Sequence, residues 1–267
     1  MLDSSPVPDS AIDDRTDSLC EKAARTAIVL ERVSKLYPNE KALEDVSLSL
    51  LDDVTTAIVG PSGSGKSTLL QCINGLVRPS GGTVYVFGRP IDYDRLPELR
   101  RQIGYAVQGT GLFPHLTVEG NITLLAQLAG WDRERIRARV EELMKLVDLP
   151  PSYARRHPHE LSGGQQQRVG LCRAMMLNPR VFLLDEPFGA LDPVTRTEIH
   201  REFLRLQEVE PRTIVLVTHD LREARKLAQR LIVLERGRLA QQGTFEEILK
   251  DPADEFVRNF FQSQLEA

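Results

Sequence analysis

Residues Gly60-Pro61-Ser62-Gly63-Ser64-Gly65-Lys66-Ser67-Thr68 carry the most specific chemistry in this chain. Glycines at this spacing let backbone N–H groups turn inward and approach anionic oxygens, which a β-carbon would obstruct. A helix that starts immediately afterwards turns the positive end of its dipole to the same point. Lys66 adds a full positive charge, and the Ser67 hydroxyl can ligate Mg²⁺, so the stretch is a cradle for the β- and γ-phosphates of a nucleotide. Such a pattern arises by accident in roughly 1% of chains of this length. Here it also falls between an apolar strand and a helix, as its chemistry requires.

A second stretch, Val181-Phe182-Leu183-Leu184-Asp185-Glu186-Pro187, sets two acids at the end of an apolar strand. In a parallel sheet the C-terminal strand ends face the ligand crevice. Asp185 suits the Mg²⁺ shell as a hard oxygen ligand. Glu186 can act as general base on a water molecule, worth about 10² to 10⁴ in rate. Acids also simply begin loops, and only the upstream phosphate cradle favours the catalytic reading. The third stretch, Leu161-Ser162-Gly163-Gly164-Gln165, opens the helical run Gln166 to Met176. Free N–H groups at that tip can bind an anion. Ser162 as a plain helix cap explains the same residues.

These residues need a scaffold. Thr55–Val59, Val181 to Leu184, Ile214 to Val217 and Leu231 to Leu234 are short, nearly continuous apolar runs separated by helical stretches, the first helix covering about Lys66 to Asn74. Such alternation predicts an α/β fold with a parallel sheet covered on both faces. Ile28 to Tyr37, Ala42 to Leu50 and Thr83 to Phe87 are richer in alternating and β-branched residues and predict antiparallel neighbours. From about 109 to 177 helix periodicity dominates, with Ile136, Val140, Leu143, Met144 and Val147 on one face. The expectation is an α/β core interrupted by a helical insertion.

Composition narrows the class. Of the 267 residues, 41% are hydrophobic and 27% charged, and 34 basic against 38 acidic residues leave a net charge of −4. No concentrated positive charge marks a nucleic-acid partner. The basic stretch Arg133 to Arg139 reads as the solvated face of a helix. Cys20, Cys72 and Cys172 lie too far apart for a zinc site, and the latter two read as small buried hydrophobes. Residues 1–24 are rich in Asp, Ser and Pro and predict a mobile acidic tail, not a signal peptide. No window reaches the roughly 18 to 20 apolar residues that span a bilayer. Histidines 157 and 159 are expected at the surface.

Together the motifs resemble the nucleotide-binding subunit of ATP-binding-cassette (ABC) transporters, from about Ala27 to the C-terminus. Leu161 to Gln165 resembles the signature motif, Gln108 the Q-loop glutamine, Ala190-Leu191-Asp192 the D-loop and His219 the switch histidine. Tyr37 matches the aromatic residue that stacks on adenine, although a strand tyrosine packed in the core is the ordinary alternative. The resemblance implies a P-loop NTPase (RecA-like) core with an antiparallel β subdomain and a helical subdomain at about 109–177, the whole cassette covering 25–250 and a helical tail 251–267. It implies ATP and Mg²⁺ as cofactors, with Ser67, Gln108 and Asp185 toward the metal and Glu186 and His219 in catalysis. It implies further that Ser162, Gly163, Gly164, Gln165 and Asp192 serve a nucleotide held by a second copy, in a twofold sandwich of two ATP molecules.

Transmembrane permease subunits, and a solute-binding protein with them, are the other implied partners, with this chain peripheral on the cytoplasmic face of the membrane. Gly111-Leu112-Phe113-Pro114-His115 would meet a coupling helix of the permease, unless Leu112 and Phe113 pack internally. The stretches Val107 to Pro114, Ala129-Gly130-Trp131 and Asp254 to Phe260 are similar to importers of quaternary amines such as glycine betaine and choline. The departures are Asp52-Asp53, where many relatives have Gly-Glu, and Gly109-Thr110 in the Q-loop. The chain closes soon after Leu249, so no fused regulatory domain is expected. The competing function is a mechanical switch on cell-envelope or division machinery.

Overall fold

Strand alternation decides which helices this chain gathers, and on which face of its sheet. The computed structural model describes residues 26–109, 111–189, 191–209 and 211–265. The expected acidic tail with Cys20, and Thr110, Ala190, Glu266 and Ala267, fall outside them. In chain order the elements are β1 (Thr26–Tyr37), β2 (Glu40–Leu51), β3 (Thr55–Val59), α1 (Lys66–Ile73), β4 (Gly81–Val86), β5 (Arg89–Pro90), α2 (Leu96–Arg100) and β6 (Ile103–Ala106). Then come α3 (Val118–Leu128), α4 (Arg133–Leu146), α5 (Gly163–Met175), β7 (Val181–Asp185), α6 (Pro193–Val209), β8 (Thr213–Val217), α7 (Leu221–Leu227), β9 (Arg230–Glu235), β10 (Arg238–Gly243), α8 (Phe245–Lys250) and α9 (Glu255–Leu265).

Two sheets result. β2-β1-β4-β5 is antiparallel throughout, with β1 between the two partners expected for it. The other runs β10-β9-β3-β8-β7-β6, parallel except for β10 at its edge. All of β3, β7 and β8 is buried. Period-2 geometry therefore sorts their side chains between two opposite cores. Ile58, Leu183, Val215, Val217, Ile232 and Leu234 face α1 and the antiparallel sheet, joining Leu69, Leu70 and Ile73 with Leu30 and Leu43. On the reverse face Phe182, Leu184, Ile214 and Leu216 meet the α3–α5 helices. Ala57, Val59, Leu231 and Val233 pack against Leu221 of α7, Phe245 of α8 and Val257 and Phe261 of α9. Each fully buried Leu, Ile or Phe among them is worth about 1.5–3 kcal/mol.

Helices α3, α4 and α5 occupy the stretch expected to be helical, and Val140, Leu143, Met144 and Val147 are buried there, with Ile136 packed beside them. α5 begins at Gly163, one turn before the expected Gln166, because Ser162 caps it. The Arg133–Arg139 stretch is only partly a solvated face. Arg133, Arg135 and Arg137 are exposed, but the Arg139 guanidinium turns inward and donates to the Met175 carbonyl at 3.0 Å. An i→i+3 ion pair with Glu142 occupies its other edge. Asp52-Asp53 forms the β2–β3 turn, with Asp53 left-handed at φ 55° and Asp52 accepting from the Thr213 hydroxyl at 2.7 Å. Cys72 and Cys172 are fully buried. Burial pushes both thiols up, Cys72 to about 11. Among the described residues, no helix is long and apolar enough to cross a membrane.

Candidate functional site

β3 ends at Val59, and the next residues turn back on themselves before α1. Gly60 and Gly65 hold φ of 149° and 96°, and a β-carbon would lie 2.2 Å from the Leu234 carbonyl oxygen at the first and 2.4 Å from that of Ala42 at the second. Only glycine fits either place. The loop is thus clamped between β9 and the β1–β2 hairpin, whose Tyr37 stands at the end of β1, 39% exposed. Lys35 lies over its ring, with Nζ 5.1 Å from the centroid. The ordinary core packing of a strand tyrosine is therefore not what Tyr37 adopts.

Lys66, 8% exposed, folds into the loop and donates from Nζ to the Gly60 and Pro61 carbonyls at 2.9 and 2.7 Å. Burial pushes its ammonium down, opposed by the charges of Glu186 and Asp185. Pro61, Ser62 and Gly63 line the outer rim, Ser64 is buried, and Thr68 is half-buried in the first turn of α1. No side chain caps α1, so the N–H groups of its first turn have no acceptor within the helix. An uncapped helix N-terminus, an inward lysine and glycines that admit no β-carbon fit a polyphosphate.

β7 lies two strands from β3 in the sheet and delivers the acids to the same end. Ser67 Oγ donates to Asp185 Oδ1 at 3.1 Å. Asp185 is 3% exposed. Burial raises its carboxyl above the usual range and the Glu186 charge adds to this, against the Ser67 hydrogen bond and Lys66. Two hard oxygens, one of them on a carboxylate poorly compensated by its surroundings, fit a Mg²⁺ ion.

Glu186 leaves the strand in a left-handed conformation, φ 48°, a rare state for a residue with a side chain. Its backbone is held there from three sides. Its N–H donates to the Val217 carbonyl at 3.0 Å, and its carbonyl accepts from Gly189 N at 3.3 Å and from Gln167 Nε2 at 3.2 Å. The side chain meets two of the expected partners. Gln108 Nε2 donates to Glu186 Oε2 at 3.2 Å, and His219 Nδ1 lies 3.5 Å from Oε1. Gln108 is exposed just beyond β6, and the His219 side chain keeps 68% of its surface open. Gly60 to Thr68, Asp185, Glu186, Gln108 and His219 thus share one end of the parallel sheet.

Ser162 to Gln165 stand apart. Ser162 and Gln165 form a reciprocal capping box, Ser162 Oγ accepting from Gln165 N at 3.3 Å and Gln165 Oε1 from Ser162 N at 3.0 Å. The plain helix cap weighed for Ser162 is present. Gly163 and Gly164 follow in the first turn of α5, and Ser162, Gly164, Gln165 and Asp192 line one recess of about 220 Å³ with Arg168 and Thr195. Asp192 accepts from Val194 N and Thr195 N at 3.2 and 3.0 Å; bonding to Thr195 holds its carboxyl below the usual range. Among the described residues, no hydrogen bond joins this tip to the glycine loop.

In the approach to α3, Leu112 packs on the helical core, whereas Phe113 is 41% exposed. The fully buried Asn121 staples this loop, accepting from Phe113 N at 2.8 Å and donating to the Phe113 and Leu116 carbonyls. Asn121 and Gln167 escaped the sequence reading. The available signal was a polar residue on an otherwise apolar helix face.

The ABC transporter family model matches residues 43–189. The choline transport ATP-binding protein OpuBA of Bacillus subtilis is 48% identical over 234 residues, 87% of this chain and 61% of the relative. The glycine betaine uptake system ATP-binding protein YehX of Escherichia coli is 47% identical over 234 residues, 88% of this chain and 76% of the relative. This chain spans about 61% of the length of the first curated relatives it matches. A dimeric post-hydrolysis state of the ATP-binding cassette MJ0796 bound to ADP and Pi superposes with a TM-score of 0.77 at 36% identity, covering 81% of this chain and 98% of that one. With a P-loop NTPase core, an antiparallel β subdomain and a helical subdomain, the chain belongs to the ABC transporter family.

Proposed function

We propose that this chain binds and hydrolyses ATP with Mg²⁺ as the energising subunit of an importer for a small quaternary amine. The observation that carries the catalytic reading is Glu186: a carboxylate fixed by its backbone, touched by Gln108 and His219, and adjacent to the Ser67–Asp185 pair. Mg²⁺, held by Ser67, Asp185 and the Gln108 amide oxygen, would neutralise charge on the β- and γ-phosphates. Glu186 would take the proton of the attacking water, and His219 would face the γ-phosphate from the same end of the neighbouring strand β8. Tyr37 would offer its ring to adenine, and Gly60 to Thr68 would wrap the phosphates.

Each such centre is completed by a second copy, whose Ser162, Gly163, Gly164, Gln165 and Asp192 close over the γ-phosphate. The separation of the Ser162 tip from the glycine loop within one chain supports this, as does the dimeric state of the similar cassette. Substrate class rests on the relatives, whose names refer to choline and glycine betaine. Permease subunits carry the solute, a solute-binding protein delivers it, and this chain docks peripherally at the cytoplasmic face through the Phe113 loop. Glu186→Gln tests the catalytic reading: the variant should retain ATP and elute as a nucleotide-dependent dimer without turnover. Wild-type hydrolysis by Glu186→Gln would refute it.

A further inference from the structure

His200 is the fully enclosed histidine that neither the phosphate loop nor the acids use. It lies on α6, 5% exposed, and Glu223, on α7, is 8% exposed. His200 Nε2 and Glu223 Oε1 are 2.9 Å apart in a buried hydrogen bond. Taking both groups from water costs solvation, which their mutual hydrogen bond offsets.

The positions this pair joins are specific. Glu223 sits in the first turn of α7, where its N–H is held by the carboxylate of Asp220, the cap residue. Asp220 directly follows His219, and its own N–H donates to Thr218 Oγ1 at 3.1 Å. The entry of α7 therefore determines where His219 stands. On its other side the His200 ring meets Phe188 edge-on, centroids 4.7 Å apart and planes at 78°. Phe188 is 1% exposed and lies within the turn that runs from Glu186 to Gly189, its own carbonyl accepting from Leu191 N at 3.2 Å. α6 itself starts at Pro193, next to Asp192.

We infer that His200 is a positioning residue: through its bond to Glu223 and its ring contact with Phe188, it fixes the His219 junction against the Glu186 turn. The inference rests on the proposed ATPase reading and deepens it. A hydrogen-bonding group at 200 keeps His219 and Glu186 at their 3.5 Å approach, and an apolar one releases it. Ground-state nucleotide binding by the phosphate loop does not depend on the pair, so its loss acts on turnover.

The test uses steady-state ATP hydrolysis and thermal midpoints of the full chain with His200→Gln, His200→Leu, Glu223→Gln, Glu223→Leu and the double leucine variant. His200→Leu should lower kcat about tenfold with KM for ATP changed less than about twofold, the pattern of a group acting only in the reaction step. His200→Gln should stay within about threefold of wild type, and the double leucine variant should be no slower than the slower single one, because the two residues act as a unit. Should His200→Leu fail to fold, Glu223→Gln against Glu223→Leu makes the same comparison. A folded His200→Leu with wild-type kcat, equal losses in the Gln and Leu variants, or loss of folding in both leucine variants overturns the inference. A wild-type chain that hydrolyses no ATP refutes the proposed function instead.

Discussion

Gln167 Nε2 donates to the carbonyl oxygen of Glu186 at 3.2 Å, so the helix that Ser162 caps also grips the backbone of the proposed general base. Gln167 is 5% exposed, and the carbonyl it serves belongs to a left-handed residue. Replacing it with Leu leaves that oxygen one donor short. One hydrogen bond of this kind is worth about 0.5–1.5 kcal/mol, so Gln167→Leu should lower kcat by about three- to tenfold. Nucleotide affinity, measured by titration calorimetry, should change little. Unaltered kcat would mean the contact is idle.

Gly65→Ala should destabilise the fold before any chemistry is considered. Its β-carbon would press on the Ala42 carbonyl oxygen at 2.4 Å, whereas a β-carbon at Gly63 meets nothing within 4 Å, and both glycines hold positive φ, 96° and 76°. The strained backbone costs roughly 1–3 kcal/mol at either position, so the difference between the two variants reports the clash. In thermal melts Gly65→Ala should lose clearly more than Gly63→Ala. Equal losses would contradict the clamp between the glycine loop and β2.

Asp185 carries a pH dependence with a definite sign. Its folded-state pKa is raised, chiefly by burial, so its contribution to stability is complete below the usual carboxylate value, about 4, and is lost as pH rises through the folded value. Near neutral pH the ionised group therefore burdens the metal-free protein. Asp185→Asn keeps an acceptor for Ser67 and removes the charge. Its metal-free thermal midpoint should exceed that of wild type at pH 7, with the advantage shrinking on acidification through the carboxylate range. Added ATP and Mg²⁺ should stabilise wild type and leave Asp185→Asn nearly unmoved. An Asn variant less stable at pH 7 than at pH 4, relative to wild type, would contradict this.

Phe113→Ala probes the proposed coupling surface. Phe113 is 41% exposed on a loop held from below by Asn121, so removing its ring should disturb neither folding nor the hydrolysis site. In vesicles carrying the permease, transport should fall at least about tenfold while basal ATP hydrolysis stays within about twofold, the signature of lost coupling rather than lost chemistry. Undiminished transport would remove this loop from the interface.

Local signals made much of this legible. The glycine loop, the β7 strand with its terminal acids and the amphipathic face of α4 each lie within a short window whose period or spacing has one mechanical meaning. What escaped depends on contacts between distant segments. His200 and Glu223 are 23 positions apart, and Gln167 and Glu186 19 apart; no periodicity announces that two polar side chains meet inside a core, or that a buried amide reaches a distant backbone carbonyl. Arg139 was read with its exposed neighbours because helical spacing alone does not reveal that the Met175 carbonyl lies within its reach. The Ser162 box is the converse case, where a plain cap and the proposed binding tip use the same residues.

Whether one chain's serine–glycine tip completes another chain's centre is decided by mixing two inactive variants, Lys66→Ala and Ser162→Arg. In the mixed pair one nucleotide site joins both defects and the other joins neither, so hydrolysis should reappear on mixing and reach up to about a quarter of the wild-type rate under random pairing of twofold dimers. If the mixture stays as silent as its parts while heterodimers demonstrably form, the composite active centre does not exist.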